Sequence, residues 1–158
     1  MERADRDASW QTPAVAALLA DVAGMLRARG ERMTRQRRAV LVALADGDGH
    51  VGAERIVEDV ARIDPSVHRA SVYRALETLS DLGVVQHVHV GHGGTAYHLV
   101  HGRPEHPHAQ CHACGRVLDL PADLLDGAAS RLRSEHGFVL DAGHVALSGT
   151  CDRCDRPA

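Results

Sequence analysis

Apolar and polar positions divide the chain into a helical first part and a strand-rich remainder. Apolar residues recur at the three-to-four spacing of an amphipathic helix in four segments before residue 83. The predicted helices cover 13–29, the stretch from Thr34 into the turn at 46–49, about 52–62 and about 69–82. Gly30 and Gly83 stand where the first and fourth helices would end.

The pattern then changes from a helical period to a period of about two. It covers residues 84–90, a glycine-rich turn occupies 91–94, and a second such segment covers 95–100. This is the composition of a β-hairpin. Helices in a helix-turn-helix arrangement followed at once by a hairpin predict a winged-helix domain over residues 1–100.

The remaining third of the chain predicts a second, smaller domain. Residues 101–107 are rich in helix and strand breakers and predict a hinge, so the second domain is expected over 108–158. It would contain a strand at 117–120, a helix over about 122–136 and a strand near 138–148. The helix would place its apolar side chains inward, namely Leu124, Leu125, Ala128 and Leu132. A core this small benefits from a metal and from a second copy of the chain.

Composition and charge limit the kind of core and the kind of partner that the chain can have. The chain is 44% hydrophobic but only 3% aromatic, so aliphatic side chains must form its cores. Its net charge is −3, yet residues 27–38 contain six arginines and one acid, Glu31.

The apolar stretch at 14–26 is interrupted by Asp21 and Gly24 and lacks a basic leader. We therefore expect no signal peptide, no membrane segment and a cytoplasmic protein.

Four cysteines in two pairs carry the clearest chemical signal. Cys111 and Cys114 form one C-x-x-C step, Cys151 and Cys154 form the other, and the chain has no further cysteine. Two such steps brought together predict a closed tetrahedral structural zinc site. Disulfides, a redox dithiol and an iron–sulfur centre are the alternatives, and a reducing cytosol disfavours the disulfides.

The predicted fourth helix is the candidate DNA-facing element. In a helix-turn-helix, the N-terminal half of the second helix enters the major groove, and here that half is 68–74. Helical spacing leaves its polar side chains outside while its aliphatic residues face the core. The basic run at 27–38 would add phosphate contacts. The candidate DNA-binding residues are Arg35, Arg37, Arg69, Ser71, Tyr73 and Arg74.

Histidine is unusually frequent and clustered. Of twelve histidines, eight lie between His87 and His112. The i,i+2 pairs His87/His89 and His106/His108 would each place two imidazoles on one face of a strand. Neutral imidazole suits exchangeable nickel, zinc, copper or iron(II), so the wing and hinge are candidate regulatory metal sites.

These motifs occur in an order and spacing that resembles the ferric uptake regulator (Fur) family of bacterial metalloregulators. The resemblance runs from 29–37 through 71–76 and the histidine-rich hinge to both cysteine pairs. Within the family, 87–93 together with 97–99 resembles the nickel uptake regulator branch. The resemblance implies an α+β protein with an N-terminal winged-helix DNA-binding domain and a small C-terminal α/β dimerisation domain with a four-cysteine zinc site. It also implies a homodimer that binds palindromic double-stranded DNA when loaded with metal, with no membrane, small-molecule substrate or enzymatic activity.

The same resemblance implies specific metal ligands. The family's interdomain sensing site corresponds to four imidazoles, at His50, His98, His106 and His108. A nickel-type site corresponds to His87, His89 and His144. The cofactors implied are structural Zn²⁺ and a regulatory divalent metal, with Ni²⁺ favoured and Zn²⁺ or Fe²⁺ as alternatives.

Several positions depart from the family pattern or stand outside these sites. Pro104, Glu105 and Pro107 replace frequent ligand positions, so a third metal site near Asp126 is expected to be lost or altered. Gln86 and Val100 stand where zinc-sensing members tend to place ligands. His112 and His136 are expected to be structural or exposed.

Three rival functions remain to be weighed. A zinc hydrolase or deaminase needs a Glu as general base near an open metal site. Deaminases show an H-x-E motif and a Pro before the C-x-x-C step, and the chain has neither. A peroxide sensor needs iron(II) in a mixed histidine and carboxylate site, and the four imidazoles argue against it. A winged-helix protein with structural zinc alone would bind its operator without regulatory metal.

Overall fold

The computed structural model of the chain describes residues 12–47, 49–90, 94–101 and 106–155. These residues form two compact units. The first unit contains the described residues up to Gln86 together with Tyr97–His101, and the second contains those of His87–Ala96 and the described residues after 105. The predicted domain limits at 100 and 107 stay a prediction, and the hinge residues 102–105 lie outside the described residues.

All four predicted helices of the first unit are present. They are α1 (Pro13–Ala28), α2 (Arg35–Asp46), α3 (Ala53–Ile63) and α4 (Arg69–Asp81). Threonine hydroxyls cap the first two, because Thr12 Oγ1 accepts from the Val15 N–H at 3.3 Å and Thr34 Oγ1 from the Arg37 N–H at 3.4 Å. These caps satisfy donors that the helix cannot pair internally.

Glycines end two of these helices as predicted. Gly30 and Gly83 have φ angles of +74° and +73°, in the left-handed region that side chains with a Cβ rarely adopt. The turn beyond each glycine closes on the helix, with the Glu31 N–H bonded to the Leu26 carbonyl at 2.9 Å. The glycine turn at the end of each helix therefore fixes the direction in which the chain leaves α1 and α4.

Aliphatic side chains from all four helices form one core, as the low aromatic content predicted. Val22 and Leu26 of α1 are fully buried, and α2 buries six consecutive residues from Ala39 to Leu44. The remaining buried core residues are Ile56, Val60, Val72, Ala75, Leu76, Leu79, Leu82, Val84 and Val85.

A three-stranded sheet completes the winged helix. Its strands are β1 (Val51–Gly52), β2 (Val85–Val90) and β3 (Gly94–Leu99), in the order β1-β3-β2. The hairpin formed by β2 and β3 was predicted, with its turn at 91–93 outside the described residues. The two residues of β1 are too few to show a period, which is why the sequence analysis missed this strand.

The second unit has a three-stranded sheet and one helix. The elements are β4 (His108–Cys111), β5 (Val117–Asp119), α5 (Asp126–His136), a 3₁₀ helix at Ala142–His144, and β6 (Ala146–Gly149). β4 is the central strand, antiparallel to β5 and parallel to β6.

Two secondary-structure expectations for this unit were wrong. The helix begins at Asp126 rather than near 122, because the N–H groups of Leu124 and Asp126 close turns onto the carbonyls of Pro121 and Asp123. The strand expected over 138–148 is confined to β6, because the residues before it form a 3₁₀ turn.

The predicted inner face of α5 was also wrong. Leu124 is 52% exposed, Ala128 is exposed, Leu125 and Leu132 are only half-buried, and α5 contains no buried residue. The periodicity identified an apolar face correctly, but no described element of the same chain covers it. The face is available to a second copy of the chain.

Arg37 joins three segments of the first unit. Its guanidinium donates to the Arg32 carbonyl at 2.8 Å, to the Glu31 carboxylate, and to Thr78 Oγ1 of α4 at 3.4 Å. Its side chain is only 15% exposed. Hydrogen bonds from a charged donor that is largely shielded from solvent contribute more to stability than hydrogen bonds between neutral groups.

We predict that Arg37→Ala lowers the free energy of unfolding by about 1–2 kcal/mol, because a partly exposed carboxylate and hydroxyl lose their charged donor. Arg38→Ala is the matched control, since Arg38 is exposed and adjacent, and its effect should stay within about 0.5 kcal/mol. Urea unfolding of both variants measures the difference. Equal losses in the two variants would show that Arg37 does not join these segments.

Candidate metal centres and nucleic-acid interface

The four cysteines converge at one edge of the second sheet. Because β4 and β6 are parallel, with Cys111 paired to Gly149, the chain leaves both strands at the same edge. The Cys111–Cys114 step lies between β4 and β5, and the Cys151–Cys154 step follows β6. The four Sγ atoms lie within 4.8 Å of one another, with Cys114 Sγ 3.7 Å from Cys151 Sγ.

This geometry fits zinc and not a disulfide. Four sulfurs at about 2.3 Å from one tetrahedral ion lie about 3.8 Å apart, whereas a disulfide needs about 2.05 Å. Backbone N–H groups of Cys151 and Cys114 lower the pKa of the Cys111 thiol to about 6. The neighbouring sulfurs of Cys114 and Cys151 raise the pKa of Cys154 to about 12. A divalent cation removes the conflict between adjacent thiolates, so the cluster is consistent with a structural zinc site.

We predict that each chain retains one zinc ion and that Cys154→Ser or a strong chelator removes it. Because metal binding and folding of a small unit are coupled, loss of zinc should abolish amide protection in β4 and β6 while α1 to α4 stay protected. Metal analysis with hydrogen exchange measures both. Zinc added back to the chelated protein is the control, and a stable second unit without zinc would contradict a structural role.

The candidate interdomain ligands form one close pair in each unit. His50 precedes β1 and His98 lies on the neighbouring β3, and their ring centres are 4.3 Å apart. His106 and His108 lie at the start of β4 with ring centres 4.8 Å apart. His98, His106 and His108 are buried. Buried imidazoles held close together by neighbouring backbone segments are well placed to bind a soft or borderline metal ion.

Asp119 lies beside the second pair and was not predicted from the sequence. Asp119 Oδ1 lies 3.5 Å from His106 Nε2 and 3.7 Å from His108 Nε2, and the three side chains form a potential metal-binding group. Asp119 is paired with His108 across β4 and β5, in a register centred on the cysteine knuckle. A hairpin folded symmetrically about that knuckle would have predicted the contact.

The three candidate nickel ligands also come together. The ring centre of His87 lies 5.5 Å from that of His89, on the same strand, and 6.0 Å from that of His144, in the 3₁₀ helix. Asp141 Oδ2 lies 2.9 Å from His144 Nδ1. Burial, with His89 and His144 nearby, lowers the pKa of His87. A lowered pKa favours the neutral imidazole that metals require.

The other singled-out positions form no comparable site. Asp126 is exposed in the first turn of α5 and belongs to no group of three potential ligands within the described ranges. His112 and His136 are exposed, His112 beside the Thr150 hydroxyl and His136 beside Glu135. The described departures from the family pattern, Gln86, Val100 and Pro107, are buried, whereas Pro104 and Glu105 lie outside the described residues.

The candidate DNA contacts differ in accessibility. Arg74 is exposed and Ser71 is half-buried on α4. Arg69 and Tyr73 are joined to Glu54 of α3. Arg35 is 76% exposed and forms an ion pair with Asp64 at 3.1 Å. Arg37 is the exception, because its covered contacts within the first unit occupy its guanidinium.

The sequence model of the ferric uptake regulator family matches residues 28–148. This range includes α2 to α5 and the histidine pairs His50/His98 and His106/His108. This chain belongs to the ferric uptake regulator family. Members are dimeric, metal-responsive, DNA-binding transcription regulators rather than enzymes, and the α+β fold with its four-cysteine cluster agrees with that membership.

Relatives named for the uptake of different metals resemble the chain to similar degrees. The ferric uptake regulation protein of Bacillus subtilis is 32% identical over 136 residues, covering 82% of this chain and 89% of the relative. The zinc uptake regulation protein of Mycobacterium tuberculosis is 28% identical over 132 residues, covering 82% and 98%. A zinc uptake regulator solved with zinc and DNA is 28% identical, with a TM-score of 0.64 over 88% of this chain and 93% of that one.

None of the helices in the described part of the chain combines the length and apolar character that crossing a bilayer requires.

Proposed function

We propose that this protein is a nickel-responsive repressor of the Fur family, acting in the cytoplasm on genes for metal uptake or metal-dependent stress responses. The observation that carries the proposal is the convergence of His87, His89 and His144. It would bind a palindromic operator as a homodimer, with α4 in the major groove.

The chemistry of this cluster suits nickel. Two imidazoles on one metal can place their ring centres up to about 6.4 Å apart, given metal–nitrogen bonds of about 2.1 Å, and the observed 5.5 and 6.0 Å fall inside that limit. Asp141 accepts from His144 Nδ1 and leaves Nε2 for the metal. Three nitrogen ligands favour nickel, copper or zinc over magnesium or calcium.

The second part of the proposal concerns how metal binding controls DNA binding. His50 and His98 belong to one unit, and His106 and His108 to the other. Four side chains that share one metal ion would favour a single relative orientation of the two units and so select the DNA-binding form. Converting a mostly incompetent population to a mostly competent one requires about 5 kcal/mol of differential binding.

A second candidate function is supported by Asp119. A carboxylate beside His106 and His108 supplies the mixed ligand set that iron(II) accepts. Imidazoles alone disfavour a peroxide sensor, whereas Asp119 supplies the carboxylate that such an iron(II) site needs. In this alternative, DNA binding would depend on iron(II), and His144 would be dispensable.

We predict that Ni²⁺ tightens binding of the zinc-containing protein to its palindrome at least tenfold, at lower free-metal concentration than Zn²⁺, Mn²⁺ or Fe²⁺. His87→Ala and His144→Ala should remove the nickel response, whereas exposed His136→Ala, the control, should keep it. Fluorescence anisotropy at fixed salt measures binding. A response to Fe²⁺ that survives His144→Ala and is lost with Asp119→Ala would establish the alternative, and binding without any added metal would exclude sensing.

We further predict that Asp141→Asn weakens nickel binding about tenfold, because His144 loses the acceptor that orients its ring. Asp155→Asn is the control, since Asp155 is exposed and follows the cysteine steps. Isothermal titration with Ni²⁺ measures the affinity directly. Unchanged affinity in Asp141→Asn would mean that the His144–Asp141 contact does not serve the metal site.

A further inference from the structure

A carboxylate of α3 holds the first arginine of α4. Arg69 Nη1 donates to Glu54 Oε2 at 2.6 Å, and Arg69 Nη2 donates to the other carboxylate oxygen. The Tyr73 hydroxyl, one turn further along α4, donates to Glu54 Oε1 at 3.2 Å. Arg69 Nη2 lies 3.2 Å from the Tyr73 oxygen, and the guanidinium carbon lies 5.5 Å from the ring centre. Glu54 therefore binds two of the proposed DNA-facing side chains of α4, Arg69 and Tyr73.

This contact uses the donors that DNA would need. Arginine reads guanine, or binds phosphate, through two parallel N–H groups. In Arg69 the paired edge formed by Nη1 and Nη2 faces Glu54, and Nη2 also contacts Tyr73. A bidentate contact between that edge and a base or phosphate therefore requires Glu54 to leave. A carboxylate matches the guanidinium fork in the same planar geometry and is a direct competitor.

The contact is nevertheless easy to break. The side chains of Arg69 and Glu54 are 56% and 68% exposed, so water and salt screen their attraction. The Arg69 hydrogen bonds lower the pKa of Glu54 despite the opposing effect of desolvation, so its carboxylate stays charged at neutral pH. A weakly held negative charge at a DNA-facing surface lowers the net attraction for any phosphate backbone.

We propose that Glu54 is a specificity-determining residue that acts through Arg69. In the free protein and on non-operator DNA, the Glu54 carboxylate accepts the hydrogen bonds of the Arg69 guanidinium. Arg69 leaves Glu54 only where a base provides a better bidentate acceptor. The inference rests on the proposed placement of α4 against DNA. It assigns to α3 a role in rejecting wrong sequences rather than in binding the right one.

The chain offers a matched control on the same helix. Glu58 lies one turn after Glu54 on α3 and is similarly exposed, at 62%. It pairs with Arg62 of α3 at 3.7 Å rather than with an arginine of α4. Glu54→Gln and Glu58→Gln change the net charge equally, so a difference between them reports the contact with α4.

The test compares two duplex probes, a palindrome selected by the unchanged protein from a random pool and a scrambled duplex of equal length. We expect Glu54→Gln to tighten binding to the scrambled duplex at least fivefold, and to the palindrome by twofold or less. The slope of log K against log salt on the scrambled duplex should steepen by about one, because one more phosphate is neutralised. Glu58→Gln should stay within twofold on both probes.

A double-variant cycle separates the contact from general charge. In an Arg69→Ala background, Glu54→Gln should no longer affect binding to the scrambled duplex. An undiminished effect there, or weaker binding of either probe by Glu54→Gln alone, would overturn the inference and leave the proposed function intact. If the unchanged protein selected no palindrome under any metal, the proposed function would fail and the inference with it.

Discussion

The convergence of four thiols constrains the second unit more than any other contact in it. The helix α5 buries no residue within the chain, and the sheet has only three short strands. Apolar burial in one copy of this unit is therefore small. A zinc ion bound at the edge where β4 and β6 both end would hold the central strand in register with its parallel neighbour.

That register also positions the histidine chemistry. The knuckle of Cys111 and Cys114 is the turn between β4 and β5, so it decides which residues of these strands lie opposite each other. One result is the pair His108 and Asp119, which brings a carboxylate to His106 and His108. The four-cysteine cluster and the proposed metal ligands His106 and His108 are thus connected through one strand, so altered zinc binding would change the positions of these histidines.

Acidic side chains neutralise part of the positive charge of the first unit. Two arginines of its basic run and one of α4 are paired with acids, namely Arg37 with Glu31, Arg35 with Asp64 and Arg69 with Glu54. The arginines therefore do not form one uniformly free phosphate-binding surface. Covered Arg37 contributes to the fold, whereas the exposed pairs can exchange a carboxylate for DNA because solvent screens them. Such exchange makes charge a source of discrimination as well as attraction.

Local pattern alone determined much of this protein. Periodicity, caps and glycines predicted α1 to α4 and the hairpin, and cysteine spacing predicted the four-cysteine cluster, because these features depend on residues close in sequence. Tertiary structure alone decided that Arg37 is covered, that Leu124 is exposed, that Asp119 joins two histidines and that Glu54 holds Arg69. Each of these depends on which distant residues meet, and neither hydrophobic period nor motif spacing specifies a side chain's partner across two elements.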